Sequence, residues 1–259
     1  MDEPVTAPGP VLFARYAYPP NALGYCGPAD PEGLLGAAAA ADAAAAVVDV
    51  VEVEALADRA AHFTGAWPYL RLIAASNDVL DPLDARVVDA YWVGNALLDR
   101  VPPAGLAEVV DAQLELGHGP AAAAAPGTVP AGGHAHHSFH VFAVYPWLGL
   151  LRSGMEGPPL MVLDRCRIRW GTVEAVDADA ATVRSRTLRF SDGRLELGHE
   201  RVEDVRYRID GVGFVGDLAP GDSVSMHWDW VCERLSPARR ERLQASTERS
   251  LGVVNALDA

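Results

Sequence analysis

The sequence predicts an α+β protein: an N-terminal helical domain, a Gly/Ala/Pro linker, a small antiparallel β-barrel and a closing C-terminal helix. Three observations carry this. Apolar residues recur at helical spacing from about residue 30 to 117, they alternate in short segments from about 170 to 230, and the stretch 117–137 has no period at all. The 259 residues, half of them hydrophobic, suffice for one large domain or two small ones. The expected boundaries are 1–120 for the helical domain with its ordered N-terminal loop, 121–135 for the linker, and 136–259 for the barrel and its helix.

The elements follow in chain order. Arg15 to Pro28 interleaves tyrosines with Pro, Asn and Gly, which reads as an ordered loop that packs on its neighbours and offers Cys26 as a candidate ligand. Asp30-Pro31-Glu32 supplies an N-cap, a first-position proline and an acidic first turn. Leu56, Ala60 and Phe63 continue at helical spacing. Val87, Tyr91, Asn95 and Leu98 recur at i, i+4, i+8 and i+11, and Leu106, Val109, Val110 and Leu114 repeat the pattern. After the linker, residues 138–146 (SFHVFAVYP) read as a strand. Alternating pairs follow at Val173/Ala175, Ala181/Val183, Leu195/Leu197, Val205/Tyr207 and Val224/Met226, divided by Ser191-Asp192-Gly193 and Pro220-Gly221-Asp222. Ser236-Pro237 opens the last helix, with Leu243, Thr247, Leu251 and Val254 as its stripe.

Charge and composition narrow the chemistry. With 21 basic and 35 acidic residues the net charge is −14, which disfavours nucleic acid and anionic membrane surfaces as partners. Every basic residue is arginine; the missing lysine excludes a Walker-type phosphate loop and Schiff-base catalysis. No secretory signal is read at the acidic, proline-rich start and no apolar run is long enough to span a bilayer, so a cytoplasmic location is expected. Cys26, Cys166 and Cys232 are odd in number and far apart, as free thiols are. Gly-x-Ser-x-Gly, His-Glu-x-x-His and Cys-x-x-Cys are all missing.

Two clusters carry metal-binding chemistry. His134, His136, His137 and His140 place four imidazoles in seven residues; on a strand His136, Ser138 and His140 share one face and His137 the other. In the second, His227-Trp228-Asp229-Trp230-Val231-Cys232, a strand puts Asp229 beside His227 to orient its ring, and Trp228 and Trp230 together as core or a partner-binding face.

The order Cys166-x4-Gly171-x-Val173, a hairpin, Pro220-Gly221-Asp222-x-Val224-x-x-His227, then a helix after Leu235-Ser236, resembles the HypC/HupF family of hydrogenase maturation chaperones over residues 160–257. That resemblance implies a small β-barrel with a C-terminal helix. It implies that Cys166 and His227 carry an iron bearing cyanide and carbon monoxide, passed between a maturation scaffold and the hydrogenase large subunit. A thiolate suits a low-spin iron with π-acceptor ligands, and a neutral imidazole fills a further position. The chain departs from that pattern in three ways: Cys166 is internal rather than N-terminal, Trp170 stands where the family has proline, and 185–212 is longer than the family's hairpin. The opening segment, HHSFHVF and HWDWVC also resemble, along the whole chain, an actinobacterial family of unknown function.

The resulting expectation is a hydrogenase-associated accessory or maturation protein, a binding protein rather than an enzyme. It would hold an iron moiety with Cys166, His227 and the histidines 134, 136, 137 and 140, or dock on a hydrogenase subunit or maturation scaffold. The alternatives are a metal-dependent enzyme, with zinc, using the His134–His140 cluster with Cys166 and His227, and a non-catalytic protein-interaction module.

Overall fold

Helix α1 (Gly9–Ala22) opens the chain in the computed structural model, which describes residues 7–29, 31–39, 50–115, 128–155 and 157–256. The sequence reading of a loop from Arg15 is corrected here: the helix runs on through Tyr16 and Tyr18 and tolerates Pro19 and Pro20 near its end. Only the segment after it is a loop, tightened by Gly24 and Gly27 at positive φ. Helices α2 (Glu32–Ala39), α3 (Val50–Ala61), α4 (Trp67–Ser76), α5 (Ala85–Trp92) and α6 (Pro103–Glu115) follow, as the helical periodicity predicts. Asp84 caps α5 by accepting from the Arg86 amide, and Asn95 caps the next short turn through Leu97. The N-cap proposed at Asp30 and the linker residues 121–127 lie outside the described residues; residues 128–135 form turns that bury Thr128, Val129, His134 and Ala135.

The strand expected over 136–145 is helical instead. A single α-turn, α7 (His137–Phe139), runs into a π-helical turn, His140–Val144, and all eight residues are buried. Buried on every side, this apolar run has no strand alternation to display, and a short apolar run reads alike for strand and helix. Helices α8 (Trp147–Arg152) and α9 (Pro158–Cys166) lead into the sheet. Cys166 is therefore the last residue of a helix, not part of a strand.

Strands β1 (Arg169–Val176), β2 (Ala180–Ser191) and β3 (Arg194–Arg206) form an antiparallel meander, with β4 (Arg208–Ile209) and β5 (Val212–Gly213) as a separate small hairpin. Strands β6 (Ser223–His227) and β7 (Trp230–Arg234) pair antiparallel, β6 returns to β1, and β7 meets β3 in parallel at Arg206 and Trp230. The order β1-β2-β3-β7-β6 closes on itself, but it is a mixed sheet rather than the all-antiparallel one expected. Asp192 and Gly193, both at positive φ, make the two-residue β2–β3 turn that the Ser-Asp-Gly signal predicts. The continuous strand read through His227–Cys232 is broken: Trp228 and Asp229 form a tight turn, with Trp228 at φ 54°.

Val173, Val183, Val205, Val224, Met226 and Val231 fill one apolar core within the sheet. A larger core joins α1, α4, α5 and the 137–144 helix to the opposite side of the strands. Helix α10 (Pro237–Ala256) buries Leu243, Thr247, Leu251 and Val254 against it, the stripe read from the sequence. Asn255 bonds both the amide and the carbonyl of Leu195, fixing the helix end to β3. Trp228 and Trp230 are packed, the first on Tyr25 and the second between Tyr18 and Phe214, so they present no open partner face.

Candidate metal centre

Register alone brings the two remote residues of the sequence pattern close together. Arg169 pairs with Met226 across β1 and β6, so the chain just before β1 lies beside the chain just after Met226. Hydrogen bonds then lock the turn after His227 to both sides of Cys166: the Trp228 amide donates to the Arg165 carbonyl, and the buried Arg169 guanidinium donates to the Trp228 carbonyl. Arg169 also pairs with Glu203, which holds Arg165 at 3.0 Å, while Arg167 is held by Asp164 and the Arg186 carbonyl. The arginines on either side of Cys166 are thus fixed before any ligand is considered.

The 137–144 helix adds the third group. One ligating atom each from His137, Cys166 and His227 lie within 4.8 Å of one another, and all three residues are buried. Two ligands of one ion bound at about 2.0–2.3 Å each stand at most about 4.6 Å apart, so the groups already lie near the spacing that one shared ion needs. The ring planes of His137 and His227 meet edge to face at 5.2 Å, beside Trp92. The short turn that bears His137 runs directly into a π-turn, His140–Val144, and such turns are frequent at functional sites.

Hydrogen bonds set the state of each ring. His227 Nδ1 lies 2.6 Å from the Tyr16 carbonyl, which can only accept, so the proton sits on Nδ1 and the lone pair on Nε2. That Nε2 is buried without a well-formed hydrogen bond, an orphaned donor atom of the kind a metal satisfies. The group that orients the His227 ring is therefore the Tyr16 carbonyl and not Asp229, whose carboxylate is half exposed and 3.9 Å from Arg206. His137 Nε2 donates to the Cys166 carbonyl at 2.8 Å, which leaves its lone pair on Nδ1, 3.1 Å from the Tyr91 hydroxyl. Ligation by His137 would turn that hydroxyl to the Gly65 carbonyl, 3.4 Å away.

Electrostatics favour neutral donors. Burial lowers His227 to about 4, against the pull of the Tyr16 and Cys166 carbonyls, and holds His137 well below the ordinary imidazole range, helped by His227. Burial, reinforced by the nearby Cys26, pushes the Cys166 thiol far above its usual range. The imidazoles are ready to ligate at neutral pH, whereas the thiol must lose its proton to the incoming ion. One soft sulfur and two nitrogens, with no carboxylate lining the cavity, suit iron, zinc or copper over magnesium or calcium.

The three groups line a cavity of about 370 Å³ that also contains Cys26, His140, Tyr91 and Tyr145. Of the seven histidine and cysteine positions singled out in the sequence, His137, Cys166 and His227 come together. His140 lines the same cavity, with its Nδ1 bonded to Tyr69 at 3.1 Å. His134 and His136 stack on each other at 5.5 Å, outside the group. His136 Nδ1 caps the 137–139 turn through the Ser138 amide, while burial lowers His134 to about 2 and His136 to about 3. The helical path separates what a strand would have aligned. The Tyr16 carbonyl and the Tyr91 hydroxyl went unread in the sequence, since backbone acceptors leave no trace there and Tyr91 fits the core stripe of α5.

Behind the site, Tyr16 hydroxyl donates to Glu233 and meets Ser225, and Arg239 bridges Glu233 and Asp89. This buried network ties α1, α5, β7 and α10 together around the carbonyl that orients His227. Among the described residues no helix is long and apolar enough to cross a membrane.

No curated protein and no solved structure matched the chain. The family comparison matched residues 5–259, nearly the whole length, to a family of unknown function and not to the HypC/HupF chaperones. The chain belongs to the family of unknown function DUF6390.

Proposed function

We propose that the chain is a metal-binding accessory protein of hydrogenase maturation, which holds an iron moiety between Cys166, His227 and His137 and docks on a hydrogenase subunit or maturation scaffold. The observation that carries the proposal is the convergence, within 4.8 Å, of a thiol and two imidazoles, two of which are the residues of the HypC-like pattern. In this reading Cys166 supplies the charged sulfur, His227 a lone pair fixed by Tyr16, and His137 a second nitrogen released by Tyr91. An internal Cys166, rigidly held by its arginine neighbours, favours holding over rapid delivery.

The experiment is anaerobic purification from cells expressing hydrogenase maturation proteins, followed by metal analysis and infrared spectroscopy. Stoichiometric iron with bands from cyanide or carbon monoxide, both lost in Cys166→Ser, is the expected result. Iron-free protein under those conditions overturns the reading. A second reading, a zinc-dependent enzyme at the same site, is favoured by the cavity volume: about 370 Å³ leaves room for a small substrate beside the ion, since water takes only about 30 Å³. Stoichiometric zinc without diatomic bands would select it.

A further inference from the structure

Cys26 is the one sulfur in the cavity that the three-residue group does not include. It lies on the loop after α1, partly exposed where Cys166 and the two imidazoles are buried, and lines the same cavity. Its loop is built rather than loose. Asn21 Nδ2 donates to the carbonyls of Cys26 and Pro28, each at 2.7 Å. Gly27 takes φ 83°, and a Cβ there would meet the Phe63 ring at 2.4 Å. Tyr25 stacks at 4.2 Å on Trp228, the residue that follows His227. The loop bearing Cys26 and the turn bearing His227 therefore pack on each other beside the cavity. His227 lines the same cavity, and its buried Nε2 has no well-formed hydrogen bond, a sign that the cavity takes an electrophilic ligand.

We propose that Cys26 is a transfer thiol, the first protein ligand an incoming soft metal centre meets and the last it leaves, with Cys166, His137 and His227 as the holding site. The inference rests on the metal-binding reading of the cavity. The step is a ligand exchange without electron transfer: the Cys166 sulfur–metal bond forms, the Cys26 sulfur–metal bond breaks, and the proton leaving Cys166 ends on Cys26. A thiolate is the appropriate group because it competes for a thiophilic ion that is to be handed to another thiolate. Cys166 lines the same cavity but is more deeply buried than Cys26.

The test uses full-length protein and cobalt(II) as the probe, following the sulfur-to-cobalt absorption during loading and during removal by a chelator. Cys26→Ser and Cys26→Ala should leave the equilibrium affinity and the number of bound sulfurs unchanged while slowing both loading and removal about tenfold, the effect of roughly 1.4 kcal/mol on a barrier. Cys166→Ser should instead lose the sulfur absorption at equilibrium. Unaltered or faster exchange in Cys26→Ala would show that Cys26 merely obstructs the mouth, overturning this inference alone. Loss of equilibrium binding in Cys26→Ser would make it a permanent ligand and equally overturn the transfer role. Absence of cobalt binding by the unaltered protein would overturn the metal-binding reading with it.

Discussion

Acidification should unfold the metal-free protein well before its exposed carboxylates titrate. His134, His136, His137 and His227 are all buried, and burial lowers them to about 2, about 3, well below the ordinary range and about 4. Because the folded values are depressed, the unfolded chain takes up protons that the folded chain refuses as pH falls below about 6.5. Stability is fully present above that value and is lost below it. At pH 5 each such imidazole removes about 2 kcal/mol, and four remove about 8 kcal/mol, against a total stability of roughly 5–15 kcal/mol. Asp89 acts in the opposite direction, since burial raises its carboxyl, but one carboxyl does not reverse four imidazoles. Urea unfolding of chelator-treated protein, followed by circular dichroism between pH 7.5 and 5, measures the effect. The midpoint should collapse over that interval. A stability loss below about 2 kcal/mol, the share of a single histidine, would refute the reasoning.

Two further outcomes follow from the same side chains. Metal affinity should rise about tenfold per pH unit between about pH 6 and 8, with one proton released per ion, because Cys166 alone among the three donors is protonated there; competition titrations with a chelator corrected for its own protonation measure the slope, and a slope of zero would remove the thiol from the site. Replacing Arg239 by Met leaves Asp89 and Glu233 buried without their shared cation and should lower stability by about 3–5 kcal/mol in urea unfolding, with most of the loss recovered when Asp89→Asn and Glu233→Gln are added. A loss within error for Arg239→Met would mean that the network is not closed to solvent.

The sequence displayed whatever periodicity and turn chemistry could encode. The α10 stripe, the Asp192-Gly193 turn and the alternation of β2 are legible, because a half-buried face imposes a period and positive φ selects Gly or Asp, whereas a bulge turns Ala175 of β1 outward and β6 is buried on both faces. The 137–144 helix was not legible, since its residues are buried on every side. Tyr16 escaped for a related reason: a loop-like composition hid a helix that bears two prolines in its last turn. The pairing of Cys166 with His227 could be read only as a pattern over 61 residues of separation, and its cause, the Arg169–Met226 register, is tertiary. His137 stood among four histidines of equal appearance until the helical path separated it from His134 and His136.

X-ray absorption of the zinc-loaded protein tests the central claim most directly. One sulfur neighbour at about 2.3 Å and two nitrogen neighbours at about 2.0–2.1 Å are predicted, with the sulfur shell gone in Cys166→Ser and the nitrogen shell diminished in His227→Ala. A sulfur shell that survives the Cys166 substitution, or a shell of oxygen and nitrogen alone in the unaltered protein, would contradict the assignment.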